Sequence, residues 1–374
     1  MLESIKNTNY ILKFRKTLLY SRIRQYFPMS EDEIVDDRES LDVVDVFTID
    51  WPTQVEKPKI GIVQDPGIYP RWTKYCRFLE HNSFEYEFYN IHAHDWIERA
   101  EEYDIILGFF PNAFWHLQEM REKYYFLETF LGKTTYPSAG HANLYEDKNL
   151  EAYIAKAHGL QFANTYVSHD KEDALHLVET LEYPFVSKIV PGSGSMGVEM
   201  VHNPTQARKI VEQAFSRNGR RTFYNSFRQK NYVYFQDYVP NDGYDIRAVV
   251  VGEKWGFGYY RKVLEGDFRA SGMDQIEKRG LPEEALQIGR QVNEIVKSPM
   301  LAVDMVHGLD GQYYIIEFSP ICLMRKPDQM LVNNVPGYYV FDEDGSFHFE
   351  ATRYWPHDLF LAEFLLNHYL PKHL

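Results

Sequence analysis

An α/β protein is predicted, with a parallel α/β domain first and a mixed α+β region after it. Three features point there. From residue 59 to about 130, short β-rich apolar runs alternate with helix-length segments, as they do in βαβ units around a parallel sheet. At 184–198 the chain reads PFVSKIVPGSGSMGV, a strand-like run that breaks into a loop of small residues. From residue 231 onward the pattern is dominated by strands, with one long helical segment among them.

Residues 1–57 form an arm. Lys6, Lys13, Arg15, Lys16, Arg22 and Arg24 lie among Ile, Leu, Tyr and Phe in 1–28. A helix packed on its own protein is the favoured reading, and peripheral membrane contact the alternative. Residues 31–45 are acidic and suit a solvated connection.

Residues 58–140 read as the first domain. KIGIV (59–63) leads to a turn at Asp65-Pro66-Gly67 and a helix over about 70–82. FEYEFYNI (84–91), a helix near 94–102, the strand YDIILGF (103–109) and a helix over 115–130 follow. In 141–236 a helix over about 147–158 precedes extended TYVS (165–168), a helix over 170–181 and the Lys188 run with its loop. VEMV (198–201) is a strand, and Pro204 opens a helix to about 216. In 237–374, with its first run beginning at 231, the strands are NYVYFQDYV, DIRAVVVG, KWGFGYYRKV, LAVDMV (301–306) and QYYIIEF (312–318). Helices cover 282–297 and about 357–369. The Asp310-Gly311 pair marks a tight hairpin between the last two strands.

The bulk numbers narrow the function. The 374 residues suffice for two or three domains. A net charge of −14 argues against a general nucleic-acid binder. Two distant cysteines, Cys76 and Cys322, suit a reduced compartment rather than a disulfide framework. No apolar h-region opens the chain, and no run nears the roughly 18 apolar residues of a membrane span. The expectation is a cytoplasmic protein.

The chemistry concentrates in a few places. Gly192, Ser193, Gly194, Ser195 and Gly197 follow Lys188 at once. Small residues let backbone N–H groups approach phosphate oxygens, and a nearby lysine supplies a point charge. A plain Gly/Ser hairpin is the competing reading. Asp304 and Glu317 are each the one charged residue in an apolar run. Two satisfied salt bridges, or a shared Mg²⁺ bound together with substrate phosphates, would explain them, and the presence of a phosphate-type glycine loop in the same chain favours the metal. Arg247, Arg261, Lys262 and Arg269 are positioned in sequence to converge on those carboxylates and to stabilise phosphoryl charge. His92 and His94 read as surface histidines. The aromatic clusters at 109–115 and 223–238 read as core.

With these motifs in order, residues 135–325 resemble the ATP-grasp superfamily. The resemblance implies a lid subdomain, a C-terminal catalytic sheet, and ATP with Mg²⁺ as cofactors. It places Lys148 and Lys188 on the nucleotide, and Ser193, Gly194, Ser195 and Gly197 over its phosphates. Gln236, Asp237, Tyr238 and Val239 look like the hinge that meets adenine. Asp245 falls near the ribose, Arg261 beside the nucleotide, and Asp304, Glu317 and Ser319 on the metal. Where the family usually has Glu-x-Asn, this chain has Glu317-Phe318-Ser319, which gives a shorter third ligand. Arg247, Lys262 and Arg269 are left for catalysis, in a stretch (EGDFRASG) similar to the ribosomal-protein glutamate ligases. The implied reaction joins a carboxylate to an amine through an acyl phosphate. A small-molecule kinase and a non-catalytic ATP-binding module are the alternatives. The motif set is also similar to ATP-grasp proteins of bacterial surface-glycan synthesis, which implies a glycan acid as acceptor and an amine or amino acid as donor, with no nucleic acid.

Overall fold

The computed structural model describes residues 19, 33–40, 45–67, 69–111, 114–192, 194–224, 227–263, 266–270, 276–322 and 331–374. The arm at 1–28, Leu19 apart, and Ser193 therefore lie outside the described residues.

The first sheet holds four parallel strands, β1 (Ile60–Ile62), β2 (Tyr86–Phe88), β3 (Ile105–Leu107) and β4 (Thr134–Tyr136), in the order β2-β1-β3-β4. β1 and β3 are aliphatic and fully buried, as central parallel strands must be. β4, with the sequence Thr-Thr-Tyr, has no place in the sequence reading because it lacks that aliphatic signature. Helices α1 (Trp72–His81), α2 (Trp96–Ala100) and α3 (Phe114–Leu131) connect the strands. α3 buries Leu117, Met120, Tyr124 and Leu127, one stripe at helical spacing. Phe114 and Trp115 at its start are 41% and 56% exposed, so the expected 109–115 core holds for Phe110 but not for them.

Two helices lead into the second sheet. α4 (Ala139–Leu144) is capped by Ser138, which accepts from the His141 N–H. α5 (Lys148–His158) is capped by Asp147, which accepts from the Leu150 N–H, and stops at left-handed Gly159 (φ 64°). The second sheet is antiparallel, in the order β5-β10-β6-β7. Its strands are β5 (Thr165–Ser168), β6 (Phe185–Ser187), β7 (Glu199–Val201) and β10 (Val233–Asp237); the small hairpin of β8 (Arg220–Arg221) and β9 (Arg228–Gln229) precedes β10. Helices α6 (Lys171–Thr180) and α7 (Pro204–Ala214) cover it, closing a core of Ala174, Val178, Phe185, Val211 and Phe235.

The third sheet has eight strands, all antiparallel. They are β11 (Tyr244–Val251), β12 (Trp255–Lys262), β13 (Ile276–Glu277), β14 (Met300–His307), β15 (Tyr313–Ser319), β16 (Leu331–Val332), β17 (Val335–Phe341) and β18 (Phe347–Ala351). The main path runs β15-β14-β11-β12-β17-β16, with β13 beside β12 and β18 beside β17. β16, β17 and β18 were absent from the sequence reading. Helix α8 (Glu283–Val296) packs on the face that carries Ala248 and Val250; helix α9 (Pro356–Glu363) packs on the face that carries Val249 and Val251. Burial of alternate residues on both faces turns the expected polar/apolar alternation into a continuous apolar run. α9 also contacts the first domain, sharing a core with Ile60, Trp72 and Tyr136. Among the described residues no helix is long and apolar enough to cross a membrane.

Candidate active site

Strand register assembles the charged groups. Arg247 on β11 faces Asp304 on β14, and Asp304 faces Glu317 on β15. One strand pair away, Asp245 faces Arg261 on β12. The side chains form a buried chain of charges. Arg247 donates to both Asp304 oxygens at 2.7 Å each. Arg261 reaches Asp304 at 2.8 Å and holds Asp245 at 2.5 and 2.9 Å. Burial raises the cost of Asp304's charge, but the two guanidiniums outweigh it and hold the carboxyl well below the usual carboxylate range. A carboxylate offers about four lone-pair sites; three arginine contacts leave Asp304 about one.

Glu317 is less committed. Its side chain is 31% exposed, and Lys148 Nζ lies 3.3 Å from one oxygen. Lys148, at the first turn of α5, is 2% exposed and donates to the Gly192 carbonyl at 2.5 Å. Burial opposes its charge, yet Glu317, Glu146 and Glu151 together hold its ammonium above the ordinary lysine range. Lys188 follows the last residue of β6. It donates to the Ile316 carbonyl at 2.9 Å, and burial pulls its pKa down to about 8.

Above these residues a cleft opens between the second and third sheets, a concave site of the kind that holds small-molecule ligands. Lys148, Lys188, Gly194, Ser195, Gln236, Asp237, Tyr238, Val239, Asp245, Arg261, Arg269, Asp304 and Glu317 all line it, with Val186, Ile316 and Phe268 as apolar walls. Arg269 is held by Asp267 at 2.9 Å on two nitrogens and points Nη1 at the Val198 carbonyl, 3.4 Å away. It therefore meets the far end of the glycine loop. Gly197 shapes that loop without lining the cleft. Its φ is +78°, and a Cβ there would fall 2.3 Å from Ile189, so only glycine fits.

Three residues sit elsewhere than the sequence reading put them. Lys262, the last residue of β12, is exposed and does not line the cleft, because strand alternation turns it away from Arg261. Arg247 lies beneath the cleft and is consumed by Asp304. The Ser319 hydroxyl donates to the Ile321 carbonyl at 2.7 Å and likewise does not line the cleft. His92 and His94 are exposed, as expected, and His92 pairs with Glu119. Among the described residues no three His, Cys, Asp or Glu side chains group as a self-sufficient metal site.

Residues 146–330 match the family model of the RimK-like ATP-grasp domain. This segment of the chain is a RimK-like ATP-grasp domain. An α-aminoadipate–LysW ligase of Saccharolobus solfataricus is 26% identical over 181 residues, 47% of this chain and 62% of that protein. A ribosomal protein bS6–L-glutamate ligase of Escherichia coli O139:H28 is 27% identical over 128 residues, 33% of this chain and 38% of its own. The chain thus spans less than two thirds of either relative. The fold is also that of a RiPP-associated ATP-grasp ligase of Chryseobacterium gregarium, with a TM-score of 0.52 at 14% identity over 74% of this chain and 93% of that one.

The ATP-grasp domain carries one residue that the motifs did not flag. Glu151, three positions after Lys148, is 2% exposed and accepts from the Phe318 N–H at 3.1 Å. Burial, with Glu317's charge next, pushes its carboxyl well above the usual range. It ties α5 to β15 and so sets Lys148 against Glu317. Its signal was present in the sequence, since Lys148, Glu151, Ala152 and Ala155 form one buried stripe at helical spacing.

Proposed function

We propose that this chain is an ATP-dependent carboxylate–amine ligase. The observation that carries the proposal is the meeting of Lys148 and Lys188 with Glu317 and Asp304 in one cleft roofed by the glycine loop. Two buried lysines would hold nucleotide phosphates. Gln236, Asp237, Tyr238 and Val239 would meet the base, with Asp245 and Arg261 toward the ribose. Hard oxygen donors suit Mg²⁺. Glu317 would hold it as the main protein ligand, with the free lone pair of Asp304 and the nucleotide phosphates completing the shell; Ser319 is turned away. Mg²⁺ would neutralise phosphate charge.

In this reading, a carboxylate oxygen of the acid attacks the γ-phosphorus of ATP and the bond to the β–γ bridging oxygen breaks, releasing ADP. The amine nitrogen then attacks the acyl carbon, loses a proton, and phosphate departs. The chain's own part is positioning and electrostatics. Arg269 would bear on the charge that develops on the transferred phosphoryl group.

The relatives' names, ligases of α-aminoadipate and glutamate to proteins, support this reaction class. For the acceptor we propose a sugar acid of a bacterial surface glycan. Its support is the motif resemblance and the exposed aromatic pair Phe114 and Trp115, where Phe114 contacts Phe227 ahead of β9 (ring centroids 5.5 Å). We place the work in the cytoplasm, where ATP and thiols such as the free Cys76 and Cys322 persist.

Hydroxylamine traps acyl phosphates as hydroxamates whatever the natural amine, so it tests the reaction class directly. The purified chain should form hydroxamate in an ATP-dependent manner with at least one acid of a panel of uronic acids, nucleotide-linked uronic acids, amino acids and peptides. Phosphate stably transferred to an acceptor hydroxyl, with no hydroxamate, would show a kinase instead. Activity with amino acids or peptides alone would remove the glycan reading and leave the ligase.

A further inference from the structure

In the first sheet, the order β2-β1-β3-β4 reverses between β1 and β3. Open α/β sheets bind ligands in the crevice at that reversal, outside the strand C-termini. Two residues meet there. Arg71 lies in the loop after β1, and Phe109 lies two residues after β3; the Arg71 guanidinium stacks 3.5 Å from the Phe109 ring centroid. Arg71 is only 6% exposed. Among the described residues its one carboxylate partner is Asp65, 3.4 Å away through Nη1, and that carboxylate is largely taken by the backbone N–H groups of Arg71 and Trp72 at 3.0 to 3.2 Å.

The remaining edge of the guanidinium is unused. Nη1 alone is engaged, on Asp65, and Nε and Nη2 donate to nothing among the described residues. A buried guanidinium with an open donor edge, stiffened by an aromatic face, is a preorganised fork for an oxyanion. Its place relative to the ATP-grasp cleft is fixed by the segment after β15. Ile321 packs with Val63 and Phe110 of the first domain and with Tyr145 just after it, and the Tyr136 hydroxyl donates to the Pro320 carbonyl at 3.3 Å. Burial pushes the adjacent Cys322 thiol up to about 12, while Arg247 and Arg71 both pull against it. Trp72, the residue after Arg71, shares a core with Tyr136 and Cys322, so the first domain meets the chain just beyond β15, the strand that carries Glu317.

We infer that Arg71 and Phe109 form an oxyanion subsite for the acid substrate, one that holds a carboxylate or phosphate other than the carboxylate being activated. The inference rests on the ligase reading for the identity of the bound molecule. It selects a class of acceptor, namely acids with a second anionic group.

Calorimetry on the full chain with Mg·ADP present separates the possibilities. Glutarate is compared with its monoamide, which tests a second carboxylate. UDP-glucuronate is compared with glucuronate, which tests a phosphate. In wild type the member of at least one pair that carries the additional anionic group should bind about tenfold more tightly than its partner, and Arg71→Ala should erase that gap. Arg71→Lys should restore it only in part, because an ammonium keeps the charge but not the fork. Mg·ATP affinity of both variants should stay close to wild type; Arg71→Ala should lower the melting temperature because it leaves Asp65 without its counter-ion, and Arg71→Lys, which keeps a cation there, should lower it less. Absence of any gap in wild type, a gap that survives Arg71→Ala, or an equal loss of Mg·ATP affinity would overturn the inference. Binding is read without turnover, so failure of the ligase reading, seen as absence of hydroxamate, is a separate outcome.

Discussion

Arg269→Ala is expected to lower kcat by about 10²–10³-fold, the scale for loss of one preorganised charge-stabilising donor, while Mg·ATP affinity stays within about threefold of wild type. The reason is division of labour in the cleft. Lys148 lies 3.3 Å from Glu317 and donates to the Gly192 carbonyl, and Lys188 donates to the Ile316 carbonyl, so the proposed ligase assigns ground-state phosphate binding to them. Arg269 sits across the glycine loop, anchored by Asp267 and aimed at the Val198 carbonyl. From there it can act on charge that moves during transfer rather than on the resting nucleotide. Steady-state kinetics and nucleotide calorimetry on the same variant check this. A fall in ATP affinity parallel to the fall in turnover would put Arg269 in the nucleotide site instead.

Asp304→Ala should destabilise the fold by about 3–5 kcal/mol, the usual cost of leaving buried charges without their counter-ion. Removing that carboxylate strands Arg247 completely and leaves Arg261 with Asp245 alone. Asp245→Ala should cost less, because Arg261 would keep Asp304 and Arg247 would lose nothing. Denaturant midpoints for the two variants, measured without nucleotide, test the order. Equal losses, or a larger loss for Asp245→Ala, would contradict the described charge chain. The metal role proposed for Asp304 coincides with this structural one, so its activity data need this stability measurement beside them.

Much of the domain was legible as sequence because its signals are local. The Lys188 loop, the Asp147-Lys148 helix start and the Asp310-Gly311 hairpin are each specified within a few residues, and the structure places helices and strands there. The paired carboxylates were legible as isolated charges in apolar runs. Register was less accessible. Nothing local says that Arg247 faces Asp304 and is spent on it, or that Lys262 points to solvent while its neighbour Arg261 points inward. The strand at Val233–Asp237 looked continuous with the C-terminal strands but completes the second sheet by pairing with β5 and β6. The hairpin of β17 and β18 went unseen because Val335–Phe341 begins with Val-Pro-Gly, which reads as a turn. Arg71 gave no signal, since its importance comes from Phe109, 38 positions later.

The central claim is that the cleft between the second and third sheets binds Mg·ATP through Lys188 and Glu317. Isothermal titration of the full chain with ATP in the presence and absence of Mg²⁺ tests it most directly. The account predicts saturable, Mg²⁺-dependent binding by wild type, and a loss of at least about a hundredfold in affinity for Lys188→Ala combined with Glu317→Ala, since each substitution removes a charged contact worth roughly 1.5–3 kcal/mol. No binding by wild type, or unchanged affinity in the double variant, would contradict it.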